Sequence, residues 1–238
     1  MIQDQKLQTD AKRREVLIDA GRATLEGTLT LPSSAKGLVL FAHGSGSSRH
    51  SPRNRYVAEI LQSHHIGTLL FDLLTHQEEA VDQYSGEFRF NIPFLAKRLV
   101  DATTWIKIRA ETKDLNLGYF GASTGAGAAI MAAAELPGVI SSIVSRGGRP
   151  DLAGVALAIV HAPTLLIVGG HDEQVITLNR QALARLRSPD KKLVIIPGAT
   201  HLFEEPGTLE DVATLAAEWF ISHFTSVEEP HSAMTRAS

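Results

Sequence analysis

Two hydrophobic rhythms alternate along the chain between residues 15 and 224. Short, nearly unbroken apolar runs recur: "GLVLFAH" (37–43), "IGTLLFDLL" (66–74), "LNLGYFGA" (115–122), "VISSIVSR" (139–146), "PTLLIVGG" (163–170) and "KKLVIIPG" (191–198). Runs without a polar face suit strands buried on both sides, as in a parallel sheet. Ahead of them, "EVLIDA" (15–20) and "ATLEGTLTL" (23–31) show alternation and predict a meander or hairpin at one sheet edge. Between the strands the period lengthens. "RNRYVAEILQSHH" (53–65) places Val57, Ile60 and Leu61 on one helical face and ends at His64 and His65. Further helices are expected at 92–110, in the alanine-rich stretch 125–137, at 176–187 and at 208–224. For the last, Thr208 as cap and Asp211 three residues on form a variant capping box.

Strands alternating with helices predict right-handed crossovers and a doubly wound, mostly parallel sheet of about eight strands, with helices on both faces. The pattern places a single α/β domain at 15–225. Residues 1–14 and 226–238 lack apolar periodicity and are expected to be flexible ends. In such a sheet ligands bind beyond the carboxyl ends of the strands, so the loops after each strand are where chemistry belongs.

Composition narrows the classes. The 238 residues are 44% apolar, enough for a sizeable core, and carry a net charge of -3. The densest basic cluster, Lys12-Arg13-Arg14, is too short to argue for nucleic acid. The absence of cysteine excludes disulfides, thiol catalysis and cysteine-ligated metals. The polar N-terminus lacks the apolar core of a signal peptide, and no apolar run approaches the eighteen or so residues that span a bilayer. A cytoplasmic protein with neither membrane nor nucleic-acid partner is expected; oligomeric state is left open. No His-x-His or His-x-x-x-His pair is present, so no metal site is expected.

Candidate chemistry centres on "GYFGASTGAG" (118–127). Gly121-Ala122-Ser123-Thr124-Gly125 fits Gly-x-Ser-x-Gly between a strand and a helix, the context of a nucleophile elbow. The rival is a phosphate loop. A Walker loop needs a lysine, and none lies between Lys113 and Lys191. A dinucleotide fingerprint needs a third glycine where "HGSGSSRH" has Arg49, and the glycines at 121, 125 and 127 are wrongly spaced. A serine nucleophile needs a base and an orienting acid, and in this fold the chain order is serine, acid, histidine. Asp172 follows "PTLLIVGG" and His201 follows "KKLVIIPG", so both are expected on the same sheet edge as Ser123. Ser123 would attack, His201 carry the proton and Asp172 orient the imidazole. Against this, Asp172 could simply cap the helix that follows, with Glu173 as substitute acid and His171 as neighbouring base. An oxyanion hole would draw on the backbone N–H groups of Thr124 and of Ser45, in the loop that His43 braces. The hydroxyls of Ser45, Ser47 and Ser48 could equally cap the next helix.

With "HGSGSSRHSPRN", "GYFGASTGAG", "SRGGRPDLAG" and "GATHLFEEPG", the chain resembles the α/β-hydrolases of the dienelactone hydrolase-like family over roughly residues 15–224. Some relatives are fused to a phosphoribosyltransferase domain, which is not expected here. The resemblance implies hydrolysis of a small ester or lactone with no metal or organic cofactor. True dienelactone hydrolases use cysteine as nucleophile; serine at position 123 points to a general serine esterase. Fewer than twenty residues separate the strands ending at Arg146 and starting at Pro163, leaving little room for a lid. Arg146 or Arg149 could bind an anionic substrate group, though Arg149 could instead pair with Asp151 or Glu204. Other reactions open to the same triad are acyl transfer, thioester hydrolysis and perhydrolysis; a non-catalytic ligand-binding role is the alternative of a different class.

Overall fold

The computed structural model describes residues 11–224. Eight strands form one sheet: β1 (Ala11–Ala20), β2 (Ala23–Pro32), β3 (Gly37–Ala42), β4 (Ile66–Phe71), β5 (Asn116–Ala122), β6 (Ile140–Arg146), β7 (Thr164–Gly169) and β8 (Lys191–Ile196). Their spatial order is β1-β2-β4-β3-β5-β6-β7-β8. The β1–β2 and β2–β4 pairs are antiparallel and the rest parallel. Every residue of β3, β4 and β7 is buried, as the unbroken apolar runs require. Strand β1 begins at Ala11, so residues 11–14, expected in a flexible segment, belong to the sheet. The rest of that segment and the tail from 226 lie outside the described residues.

Six α-helices cover the two faces: α1 (Pro52–Ser63), α2 (His76–Ser85), α3 (Ile92–Lys107), α4 (Thr124–Glu135), α5 (Glu173–Arg185) and α6 (Thr208–His223). Alternation along the strands sorts the core. Val39, Phe41, Phe120 and Val144 meet Val57, Leu61 and Phe220 of α1 and α6. Their neighbours Leu38, Leu40, Tyr119 and Ile143 meet Leu95 and Leu99 of α3 and Ala129 of α4. From β3 onward each return, through an α-helix or the 3-10 segment between β6 and β7, brings the next strand in parallel, so the loops at the carboxyl ends of β3, β5, β6, β7 and β8 share one edge.

Three local expectations are corrected. The N-cap of α6 is Gly207, at φ 83°, with Thr208 the first helical residue. The Thr208 hydroxyl donates to Glu205 O (2.8 Å), so it is turned away from capping work. The first turn of α1 is capped by Ser51, whose Oγ accepts from Asn54 N, and not by Ser45, Ser47 or Ser48. Helix α2 was not anticipated. Its apolar pattern is weak, but Thr75 and Glu78 form a full capping box and Gly86 closes it at φ 66°. Between β6 and β7 the chain makes only a short 3-10 segment, Pro150–Ala158, so little lies over the sheet edge there.

Candidate active site

Ser123 stands where β5 turns sharply into α4, at φ 50° and ψ -122°. That is a strained conformation for a residue with a side chain, costing on the order of 1–3 kcal/mol. The neighbouring backbone leaves no room at the flanking positions. A β-carbon on Gly121 would lie 2.5 Å from Ala126 Cα, and one on Gly125 2.1 Å from Ala42 O. Backbone bonds hold the turn: Ser123 N–H donates to Arg146 O (3.3 Å), and Ser123 O accepts from Ala126 N (3.1 Å) and Arg149 N (2.9 Å). The side chain is part-exposed, while Thr124 and the residues after it are buried.

Asp172 and His201 come together across the ends of β7 and β8. His201 Nδ1 lies 2.6 Å from Asp172 Oδ2. Asp172 occupies the N-cap position of α5 but makes no side-chain capping bond, so its carboxylate serves the imidazole and not the helix. Glu173 is exposed in the first turn of α5. The turn carrying His201 is tied by Thr200 N–H to Glu205 Oε2 (3.0 Å) and by His171 N–H to Ala199 O (2.9 Å). Bonding from Thr200 holds the Glu205 carboxyl below its ordinary range. His201 also packs against the segment that cradles Ser123: a β-carbon on Gly147 would lie 3.0 Å from His201 O and 3.6 Å from its Cε1. No hydrogen bond joins Ser123 Oγ to His201 Nε2 in this structure. Catalytic hydrogen bonds of this kind are often long without substrate and tighten when it binds.

The loop after β3 is braced from several sides. His43 Nδ1 lies 3.0 Å from Gly44 O and Nε2 lies 3.1 Å from Leu73 N, so Nε2 accepts and Nδ1 carries the proton. Burial pushes the His43 imidazole below its usual value, consistent with that neutral form. Arg49 binds Asp72 through its backbone N–H (2.7 Å) and its guanidinium, and reaches Glu26 at 2.6 Å. The residue at the missing third glycine is therefore a structural clamp. Ser45 N–H, one expected oxyanion donor, reaches Thr124 Oγ1 at 3.0 Å. This ties the loop to the first turn of α4, and an incoming oxyanion would have to share or displace that bond.

The two arginines part company. Arg149 forms a bidentate pair with Asp151 (2.9 and 2.8 Å), which holds it protonated and leaves it no free fork for a substrate. Glu204 is taken by Arg53, at 3.5 Å. Arg146 is 8% exposed, and its Nε and Nη1 have no hydrogen-bond partner among the described residues. Among the described residues no helix is long and apolar enough to cross a membrane.

No protein-family profile matches the chain. It is 56% identical to the dienelactone hydrolase of Anabaena variabilis, whose crystal structure superposes with a TM-score of 0.87 over 90% of this chain and 98% of that one. It is also 56% identical over 210 residues to a Mycobacterium tuberculosis protein provisionally named a phosphoribosyl transferase. That match takes in 88% of this chain and 46% of the relative, so the chain spans about half the length of the curated relatives it matches. Est1E from Butyrivibrio proteoclasticus shares the fold at a TM-score of 0.73 and 17% identity, covering 89% of this chain and 99% of Est1E. Sheet order, elbow geometry and a relative this similar over nearly its full length agree: the chain belongs to the dienelactone hydrolase-like family of α/β-hydrolases.

Proposed function

We propose that the protein is a serine hydrolase of small carboxylic esters or lactones, acting through an acyl-enzyme on Ser123 with His201 as base and Asp172 as orienting acid. The observation that carries this reading is the 2.6 Å pair between His201 and Asp172, on the edge where Ser123 is held at φ 50°. With Nδ1 committed to Asp172, Nε2 is the nitrogen left to accept the Ser123 proton. Ser123 Oγ would attack the ester carbonyl, and the oxyanion would form at the amino end of α4, where the Thr124 N–H and the helix dipole favour negative charge. Collapse breaks the C–O bond, and the alcohol leaves with the proton from His201. Water then attacks the acyl-Ser123 ester, His201 takes its proton, and the acid is released as Ser123 regains it.

Serine in place of cysteine shapes the substrate class. A hydroxyl depends wholly on its base, which suits simple esters cleaved with an intact His–Asp pair. The open edge between β6 and β7 favours small, soluble esters over long acyl chains. The phosphoribosyl transferase name belongs to a relative about twice as long as the matched region and is not carried over. The test is turnover of p-nitrophenyl acetate by wild type and Ser123→Ala, beside labelling with a fluorophosphonate. Loss of both turnover and label in the variant supports the reading; unchanged turnover would falsify it.

A further inference from the structure

Arg146 sits at the carboxyl end of β6 with its side chain buried, yet among the described residues no carboxylate meets it. Its Nη2 reaches Asn54 Oδ1 at 3.4 Å, at the first turn of α1; Nε and Nη1 are buried without partners. A guanidinium has five donors and no acceptor, and buried donors of this kind are almost always satisfied. The surroundings add positive character, and among the described residues the one carboxylate paired there is Glu204, on Arg53 and not on Arg146. The first turn of α1 contains no acidic residue and its helix dipole favours an anion, although Pro52 has no N–H and the Asn54 and Arg55 N–H groups are already held by Ser51 Oγ and Ser51 O. Arg53, next to Asn54, lies close enough for its charge to oppose that of Arg146, and its own Nε is also buried without a partner. Burial first and Arg53 second lower the Arg146 guanidinium to about 10. Glu204 pairs with Arg53 at 3.5 Å but is 65% exposed, so solvent screens its charge, and no ion pair reaches Arg146 among the described residues. Arg146 is thus a buried cation with no ion pair of its own among the described residues, which an anion would neutralise.

We infer that Arg53, Asn54 and Arg146, with the first turn of α1, form a binding site for a small oxyanion of the carboxylate or phosphate class, beside the Glu204 segment that follows His201. The Nε–H and Nη1–H of Arg146 point to opposite sides of the guanidinium, so a two-oxygen anion takes one of them together with the Nη2 hydrogen that Asn54 does not hold. Arg53, with a third of its side chain exposed, is the side from which the anion enters. The site adjoins the elbow, because Arg146 O accepts the Ser123 N–H. The anion is either the acid group of an ester substrate, which rests on the serine-hydrolase reading, or a free ion, which does not.

Calorimetric titration of the full chain with inorganic phosphate, and separately with succinate, tests binding without using activity. One saturable site is expected, weakened at least about tenfold in both Arg53→Gln and Arg146→Met, in line with loss of a charge-assisted bond. Circular dichroism checks that each variant is folded, and the part-exposed Arg53 keeps the test usable if Arg146→Met does not fold. No saturable binding to wild type, or binding undiminished in the folded variants, overturns the site. The source is then read from hydrolysis of p-nitrophenyl acetate. If the bound ion raises KM competitively, it occupies the place of a substrate acid group; if it binds with KM unchanged, it is a separate ion. Should the chain show no esterase activity, the hydrolase reading fails and the titration still decides the site.

Discussion

At the scale of single residues, Ser123 carries a conflict between stability and use. Its φ of 50° suits glycine, yet the position holds a hydroxyl. Ser123→Gly is therefore expected to raise unfolding free energy by about 1 kcal/mol through relief of strain, less the added chain entropy of glycine, while removing turnover. Urea unfolding beside an ester assay checks both halves; a destabilised variant would remove the strain argument. Asp172→Asn should keep the fold and lower kcat by about 10³–10⁴-fold, because the amide favours the wrong imidazole tautomer. Glu173, exposed on α5, should not rescue it, and near-wild-type kcat in the variant would point to another acid. His43 yields a pH effect of definite sign. Burial holds its folded value below the usual 6.5. Below about pH 6.5 the unfolded chain therefore takes up a proton that the folded chain resists. The contribution of neutral His43 is fully present above that pH and is lost as pH falls toward the folded value. Unfolding midpoints measured from pH 7.5 downward should fall in wild type and fall less steeply in His43→Gln.

At the scale of elements, what could be read from sequence depended on burial. The inner strands β3 to β7 were legible because a strand covered on both faces has no polar alternation to confuse it; β8 carries a similar apolar run but forms the far edge of the sheet, with Lys191 and Lys192 exposed. The start of β1 was not. Lys12, Arg13 and Arg14 are exposed on an edge strand, where charges discourage pairing with another sheet, and such residues look like loop. Helix α2 was missed for the opposite reason: Asp82 is its one buried residue, so no apolar stripe marks it. Its ends carried the signal, in Thr75, Glu78 and Gly86. Thr75→Ala should thus lower stability by about 1 kcal/mol, as loss of an N-cap generally does. Hydrogen exchange should show faster opening confined to 76–85, and no change there would mean that tertiary contacts hold α2 without its cap. The Asp82 carboxylate is one such contact, accepting from Phe88 and Arg89 N–H groups and from the Arg89 guanidinium.

At the scale of the whole molecule, the candidate site follows from winding. Parallel strands with helical returns bring the ends of β5, β7 and β8 to one edge, so Ser123, Asp172 and His201 could be assembled on paper from chain order alone. The contact between Asp172 and His201 joins neighbouring strands β7 and β8, which made that pair the most readable part. Arg146 was only half readable. Its place after β6 was clear, but its burial depends on α1 crossing the ends of strands distant in sequence. The bond from Ser45 N–H to Thr124 Oγ1 was invisible for the same reason, since it spans 79 positions. The central claim is that Ser123 becomes acylated, and rapid-quench mass spectrometry after mixing with p-nitrophenyl acetate addresses it most directly. One acetyl group per chain on the peptide containing Ser123, formed in a burst with nitrophenol and absent in Ser123→Ala, is the expected result. Steady hydrolysis with no burst and no acetyl on that peptide, at acylation rates well above turnover, would contradict the account.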